Sequence, residues 1–321
     1  MNAPSIKSSD LVFFHYRKGD GQEKNCSKIH SLVTLNLCMM NEFIPSLYGG
    51  VTAPVAIRAE KAAAFVATYN PDIFLAQEVT LKSSKPLFEA MKKQYPHFWT
   101  GIGIQPGVKE ADLFVASKYP IVSEPVFQPF PPEMQDKYQY PNNLNASYGD
   151  RLIERGFFAV ETSTHWIVTT HLEPGSKEKG FPYRQKQLAF LTEKMDEIAG
   201  EKPYLLAGDL NLARTDDEAN EYLASGIAEY YDDYFTREHP EFNDSTFTCT
   251  NLFTIRTNHQ SEPSKESEKN EIDDYVLVRK TKKEAFKKFN VELLKGTYDL
   301  SKDPSEAITD HRAYLAQYEV D

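Results

Sequence analysis

Short apolar runs recur along the chain and predict strands at Leu32–Leu37, Ile73–Ala76, Ala111–Ser117, Gly156–Glu161, Trp166–Thr170, Tyr204–Ala207 and Asp274–Val278. Helical patterns lie between some of them. Arg58–Tyr69 is Ala-rich and stops at Asn70-Pro71, while Pro86–Gln94 and Tyr183–Ala199 predict two further helices. Strands separated by helices imply α/β layers, and the neighbouring strands near residues 156–170 imply an antiparallel pair, so the sheet is mixed. Two stretches break the pattern. Phe127–Ala146 is rich in Pro, Gln, Asn and Tyr, and Ser261–Glu271 is almost all Ser, Glu, Lys and Asn, as a solvated loop would be. No composition shift flanks either one. The expectation is one domain over residues 31–321 behind an N-terminal extension or edge segment, 1–30, with long loops bordering a site.

Five segments share a form in which apolar positions give way to one or two polar residues at a strand end. They are Val33-Thr34-Leu35-Asn36, Ile73-Phe74-Leu75-Ala76-Gln77-Glu78, Trp166-Ile167-Val168-Thr169-Thr170-His171, Tyr204-Leu205-Leu206-Ala207 followed by Gly208-Asp209-Leu210-Asn211, and Thr309-Asp310-His311. Gly-Asp-x-Asn reads as the turn ending a buried strand, with a carboxylate and an amide two residues apart on one face. Each residue has a plainer role available. Asn36 suits a turn, Glu78 a surface position, His171 a satisfied core, and Thr309 or Asp310 a helix N-cap. Together they carry more, because strand ends are where α/β folds assemble sites. Convergence would place Asn36, Glu78, His171, Asp209, Asn211, Asp310 and His311 in one pocket. Its oxygen donors suit Mg²⁺, and two imidazoles suit proton or phosphoryl chemistry. Zinc is disfavoured, since no close His/Cys cluster is present.

Composition narrows the partners. The 321 residues are 40% hydrophobic and 26% charged, ordinary for a chain with a real core. Net charge is −11, from 36 Lys and Arg against 47 Asp and Glu. An acidic body is poorly suited to gripping a polyanionic duplex and fits a small or zwitterionic substrate better. Three cysteines, Cys26, Cys38 and Cys249, form neither a disulfide framework nor a metal-ligand spacing. With no signal-peptide pattern and no membrane-length apolar run, the expectation is a cytoplasmic monomer, with signal-independent secretion the alternative.

The ordered set Leu35-Asn36, Gln77-Glu78, Thr170-His171-Leu172, Gly208-Asp209-Leu210-Asn211, Asp274-Tyr275-Val276-Leu277-Val278 and Thr309-Asp310-His311 resembles the endonuclease/exonuclease/phosphatase superfamily, whose fold is like that of pancreatic deoxyribonuclease. The resemblance implies a four-layer α/β sandwich, two mixed β-sheets packed face to face with helices outside, and metal-dependent cleavage of a phosphoester. It assigns the Mg²⁺ (with Mn²⁺ or Ca²⁺ as alternatives) to Glu78 with Asn36 beside it, and Asp310 through water. Asp209 would activate or orient the attacking water, and Asn211 would orient that water or a phosphoryl oxygen. His171 and His311 would hydrogen-bond the non-bridging oxygens, with Asp274 orienting His311. Adjacent Asp273 leaves that last assignment open by one residue of register.

Three details resemble the neutral sphingomyelinase branch: Tyr148-Gly149-Asp150 leading to Arg155-Gly156, with Arg155 as a substrate-binding cation where that branch has lysine; Thr169-Thr170-His171-Leu172; and Arg184-x-x-Gln187-Leu188. The branch implies a phosphocholine-type lipid substrate and peripheral membrane contact, with Phe127–Tyr148 and Leu252-Phe253-Thr254-Ile255 as the candidate apolar rim, though burial tendencies favour aromatics that pack these loops onto the body. A DNA or RNA nuclease is the alternative enzyme. A catalytically inactive relative acting as a binding module is the alternative of another class.

Overall fold

Two six-stranded sheets are built from the alternation of side chains along nearly fully buried strands. The computed structural model describes residues 29–39, 53–100, 111–135, 153–175, 180–214, 221–241, 243, 246–249, 271–298 and 306–321. The first sheet has the order β11-β12-β1-β2-β4-β3. Its strands are β1 (Ile29–Asn36), β2 (Ile73–Gln77), β3 (His97–Thr100), β4 (Leu113–Ser117), β11 (Phe286–Leu294) and β12 (Ala313–Val320). The second has the order β5-β6-β7-β8-β10-β9. It comprises β5 (Val126–Pro129), β6 (Gly156–Glu161), β7 (Trp166–His171), β8 (Tyr204–Arg214), β9 (Tyr231–Asp233) and β10 (Ile272–Arg279).

The sheets are constructed alike. Each has one parallel pair, β1 with β2 and β7 with β8, joined by a crossover helix, and antiparallel pairs elsewhere. The crossovers contain α1 (Val55–Tyr69) and α3 (Phe181–Ala199), while α2 (Leu81–Met91) follows β2. Leu32, Leu75, Leu113 and Val115 of one sheet meet Val160, Ile167, Leu205 and Val276 of the other in a shared core. The alternate residues face outward onto helices. Val33, Leu35 and Phe74 pack with Val55, Ala59, Ala62 and Val66 of α1, and Phe157, Val168 and Leu206 pack with Leu188, Leu191 and Met195 of α3. The four-layer sandwich expected from the sequence is therefore present.

Three local readings need correction. Gly208–Asn211 does not end its strand, because β8 runs through the tetrapeptide to Arg214. Within it Gly208 takes φ 154° and Asn211 φ 49°. Gly208 is also a close-approach position, since a Cβ there would lie 2.2 Å from the Thr170 carbonyl oxygen of β7. Helix α2 starts at Leu81, a turn before the expected Pro86, because Thr80 caps it through the Ser83 N–H. No helix follows Thr309, and the chain there enters β12 instead. Helix α1 does end at Asn70, which takes a left-handed φ of 48° before Pro71. The extension at 1–28 lies outside the described residues, and among those described no helix is long and apolar enough to cross a membrane.

A buried histidine at the far end of the sandwich makes stability acid-sensitive. The His165 ring is fully buried, with Nε2 2.9 Å from the Tyr318 hydroxyl and Nδ1 within 3.0 Å of the Thr162 and Thr164 hydroxyls. Burial, with the nearby charges of His30 and Lys202, pulls its pKa down to about 3. The unfolded chain takes up this proton near pH 6.5 and the native protein does not, so the contribution is intact above that pH and drains as pH falls toward 3. The slope reaches about 1.4 kcal/mol per pH unit, or about 2–3 kcal/mol by pH 4.5. Urea unfolding across pH 7 to 4.5 should show this loss, and His165→Gln should flatten the slope by close to one proton.

Candidate active site

The parallel pairs deliver their C-terminal ends, and their antiparallel neighbours deliver their N-terminal ends, to one edge of the sandwich. Asn36 closes β1, Glu78 follows β2 and His171 closes β7. Asp209 of β8 stands in register with His171 on one side and with Asp274 of β10 on the other. Because β12 runs antiparallel to β1, the segment before it reaches the same place, and the Thr309 hydroxyl donates to the Asn36 carbonyl at 2.8 Å. Thr309-Asp310-His311 thus arrives as the start of a strand, where the sequence suggested the end of one.

Two imidazoles flank Asp209, each gripped by a buried carboxylate. His171 Nδ1 lies 2.6 Å from Asp112 Oδ2, and its Nε2 lies 3.6 Å from Asp209 Oδ2. His311 Nδ1 lies 2.8 Å from Asp274 Oδ2. A break in register between Ile272 and Asp274 lets the N–H groups of both Asp273 and Asp274 donate to the Thr248 hydroxyl, at 3.0 and 3.2 Å. It is Asp274 that reaches His311. Burial and the Arg155 charge work against an imidazolium at His171, but Asp112 and Asp209 outweigh them and raise its pKa. At His311, burial again opposes the charge, while Cys249 and Asp274 raise the pKa well above the ordinary value. Both rings are therefore disposed to be protonated donors.

The amide of Asn36 links the sheets, with Nδ2 donating to Asp209 Oδ2 at 2.9 Å and to Glu78 Oε1 at 3.2 Å. Its carbonyl oxygen accepts the Cys38 N–H at 2.9 Å. Beneath it, the buried Gln77 amide donates to Thr34 Oγ1 of its own sheet and Thr169 Oγ1 of the other, at 3.2 and 3.0 Å. In Asn211, the N–H donates to Asp209 Oδ1 at 2.9 Å and Nδ2 to the Leu172 carbonyl at 3.2 Å. Among the described residues, three of the five non-glycine residues at positive φ, Cys38, Glu78 and Asn211, lie here, and each such conformation costs about 1–3 kcal/mol, as is usual of strain kept at functional sites.

The donor set fits a hard divalent cation. Glu78, Asp112, Asp209, Asp273, Asp274 and Asp310 face Arg155, His171 and His311, so carboxylates are in excess even with both rings protonated. Burial raises the pKa of Glu78, and Asp310 raises it further, despite the opposing His171 and His311. A cation beside Glu78 and Asp310 would relieve this. Asp209, Asp274 and His311 also lie close enough together to bind an ion. There the His311 Nδ1 is already taken by Asp274 Oδ2, although Asp274 Oδ1 has no hydrogen-bond partner, and the carboxylates of Glu78 and Asp310 make the Glu78 side the better cation position.

Arg155 is buried, 2% exposed, with Nη1 2.9 Å from Asp112 Oδ2, so it is neither a surface charge nor free to act on a substrate without Asp112. Asp112 itself was missing from the sequence reading. Burial would raise its pKa, but Arg155 and His171 bring it down to about 2. The available signal was its place just before Leu113, since β4 runs antiparallel to β2 and its start shares an edge with Glu78. Thr248 and Cys249 were missed as well. Of the expected apolar rim, Phe127 and Phe130 are buried in the body. The parts of that rim at 136–148 and 252–255 lie outside the described residues.

The fold is found in solved structures of low sequence identity. A Staphylococcus aureus beta toxin variant with bound magnesium ions shares 16% identity at a TM-score of 0.61, covering 91% of this chain and 99% of that one. TDP2 of D. rerio, complexed with a single-strand DNA product, shares 17% identity at a TM-score of 0.60, covering 92% and 100%. Sphingomyelinase C from Streptomyces griseocarneus shares 19% identity at a TM-score of 0.60, covering 90% and 99%. No curated protein matches by sequence. A sequence model described as the Endonuclease/Exonuclease/phosphatase family matches residues 47–288, well over half the chain. Asn36, Glu78 and His171 at strand ends, Asp209 within β8, and Asp274 and His311 near strand starts sit on a sequence that belongs to the endonuclease/exonuclease/phosphatase family.

Proposed function

We propose that the protein is a Mg²⁺-dependent phosphodiesterase of sphingomyelinase type, releasing a phosphocholine-like head group from a lipid. The observation that carries the hydrolytic reading is Asp209 lying between two imidazoles, each held by its own buried carboxylate. Asp209 Oδ2 would orient the attacking water and accept its proton. The His171 and His311 imidazolium groups would donate to the non-bridging oxygens as charge builds at phosphorus. Asp112 and Asp274 fix the ring orientations, so no reorganisation is needed as the transition state forms. Glu78, with Asn36 and Asp310 beside it, would hold the Mg²⁺, which when bound supplies Lewis-acid stabilisation of the phosphoryl oxygens.

The net charge of −11 and the sphingomyelinase-like segments around Arg155, His171 and Arg184 favour a zwitterionic head group over nucleic acid. The test is hydrolysis of sphingomyelin and phosphatidylcholine vesicles beside single- and double-stranded nucleic acid, with Mg²⁺ or with chelator. Phosphocholine release that falls on the order of 10³-fold on chelation is the expected result, as loss of several kcal/mol of metal stabilisation requires. Nucleic-acid cutting without lipid turnover would replace the lipid by a polynucleotide, and metal-independence would sink the mechanism.

A further inference from the structure

Two buried arginines that the chemistry leaves unused occupy matching places in the two halves of the sandwich. Each is the fourth residue of a crossover helix, Arg58 in α1 and Arg184 in α3, and they are 0% and 1% exposed. Each guanidinium turns back to the loop that leaves a site-bearing strand. Beyond Asn36, the Arg58 Nη2 donates to the Leu37 carbonyl and, at 2.9 Å, to that of Cys38. Its Nε donates to the Ile308 carbonyl at 2.8 Å, just ahead of Asp310 and His311. Beyond His171, the Arg184 Nη1 donates to the carbonyls of Glu173 at 2.8 Å and Gly175 at 3.1 Å, and Nη2 pairs with Glu221 at 2.6 Å.

The surroundings of Arg184 are adapted to it. A Cβ at Gly180 would lie 2.2 Å from its Nη1, so glycine leaves the space the guanidinium occupies. One helical turn on, Gln187 accepts the Glu173 N–H at 2.8 Å and donates to the Met134 carbonyl at 2.7 Å, which accounts for the Arg184-x-x-Gln187 pattern. Burying a guanidinium against main-chain carbonyls is an expensive way to fill a core. What it achieves is to fix several carbonyls at once with a planar fork, which a lysine cannot reproduce.

We propose that Arg58 and Arg184 are paired positioning residues, Arg58 setting the metal-facing half of the site through the Leu37–Cys38 turn and the segment entering Asp310, and Arg184 setting the His171 half through the Glu173–Gly175 loop. This rests on the metal-dependent phosphodiesterase reading above. The two residues serve as each other's control, being equally buried and each bonded to loop carbonyls, with Arg184 alone also paired to Glu221, so a merely structural role would lower the stability of either variant without separating Mg²⁺ affinity from kcat and KM.

The experiment measures Mg²⁺ affinity by titration calorimetry, without turnover, for wild type, Arg58→Lys and Arg184→Lys. Thermal melting and kcat and KM on a soluble p-nitrophenyl phosphodiester of choline accompany it. Arg58→Lys should weaken Mg²⁺ binding about 10-fold or more, as loss of outer support for ligands does, with KM at saturating Mg²⁺ unchanged. Arg184→Lys should leave the Mg²⁺ affinity within about twofold and change KM or kcat by about 10-fold. Should Arg58→Lys fail to fold, Arg58→Gln, which can keep one carbonyl bond, takes its place. Parallel shifts in both variants, or unchanged Mg²⁺ affinity in Arg58→Lys, would overturn the pairing while leaving the function intact. A wild type that binds no Mg²⁺ and cleaves no phosphodiester would overturn the functional reading and this one with it.

Discussion

Asp209→Asn is expected to lower kcat by about 10³–10⁴-fold while leaving the protein folded, combining loss of proton transfer with loss of oriented water. Asp209 is buried between His171 and His311 and is bonded by the Asn36 amide and the Asn211 N–H, at 2.9 Å each. An asparagine keeps the volume and one of these acceptors, but turns a donor toward the other. That mismatch costs about 1–3 kcal/mol, set against relief of the repulsion with Asp274. Single-turnover kinetics and urea unfolding on the same preparation separate the two effects. A variant that retained even a tenth of wild-type kcat would remove Asp209 from the centre of the reaction.

Asp112→Asn is expected to lower both stability and activity. It would strip the carboxylate from a buried triad in which Arg155 Nη1 and His171 Nδ1 lie 2.9 and 2.6 Å from the same oxygen. Removing the negative charge beside the buried guanidinium costs about 3–5 kcal/mol. The His171 ring also loses the neighbour that holds its pKa up, so at neutral pH it becomes a poorer donor, for a further loss of about 10²-fold in kcat. The companion variant distinguishes the causes. Adding Arg155→Met to Asp112→Asn should recover much of the stability, because a buried ion pair replaced by apolar atoms is often neutral or favourable, without recovering kcat. Recovery of both would make Asp112 a structural residue only.

The layers and much of the site were legible because they rest on periodicity and on local apolar-to-polar transitions. Asn36, Glu78, His171 and Asp209 are each announced by the apolar strand before them. What escaped has a common cause: a sequence carries no mark of strand direction. Asp112 just precedes β4 and Asp274 lies near the start of β10, and they reach the edge where β2 ends and Asp209 of β8 sits because their own strands run the other way. Asp274 was seen only through its resemblance to a family motif, and the choice against Asp273 needed the break in register beside it. Strand β11, with the alternating Phe286, Phe289 and Val291 interrupted by exposed Lys287, Lys288 and Glu292, gives too weak an apolar run to read. Gly208 and Asn211 suggested a turn because the same residues that make turns also let a strand kink and continue.

The pairing of β1 with β12, from Ile29 opposite Glu319 to Thr34 opposite Tyr314, sets an order of assembly. As the chain emerges from the ribosome, the second sheet has all its strands once β10 is made. The first sheet must wait, with β1 open along the edge that β12 will cover, until β12 itself has been made. His311 directly precedes β12, so a nascent chain that has not reached it carries Asp209 and His171 but no second imidazole beside them. Contacts this distant in sequence make for slow closure. The delay means that the site's full set of side chains comes together only once β12 is made, and that β1 is the edge most in need of a chaperone's cover before then.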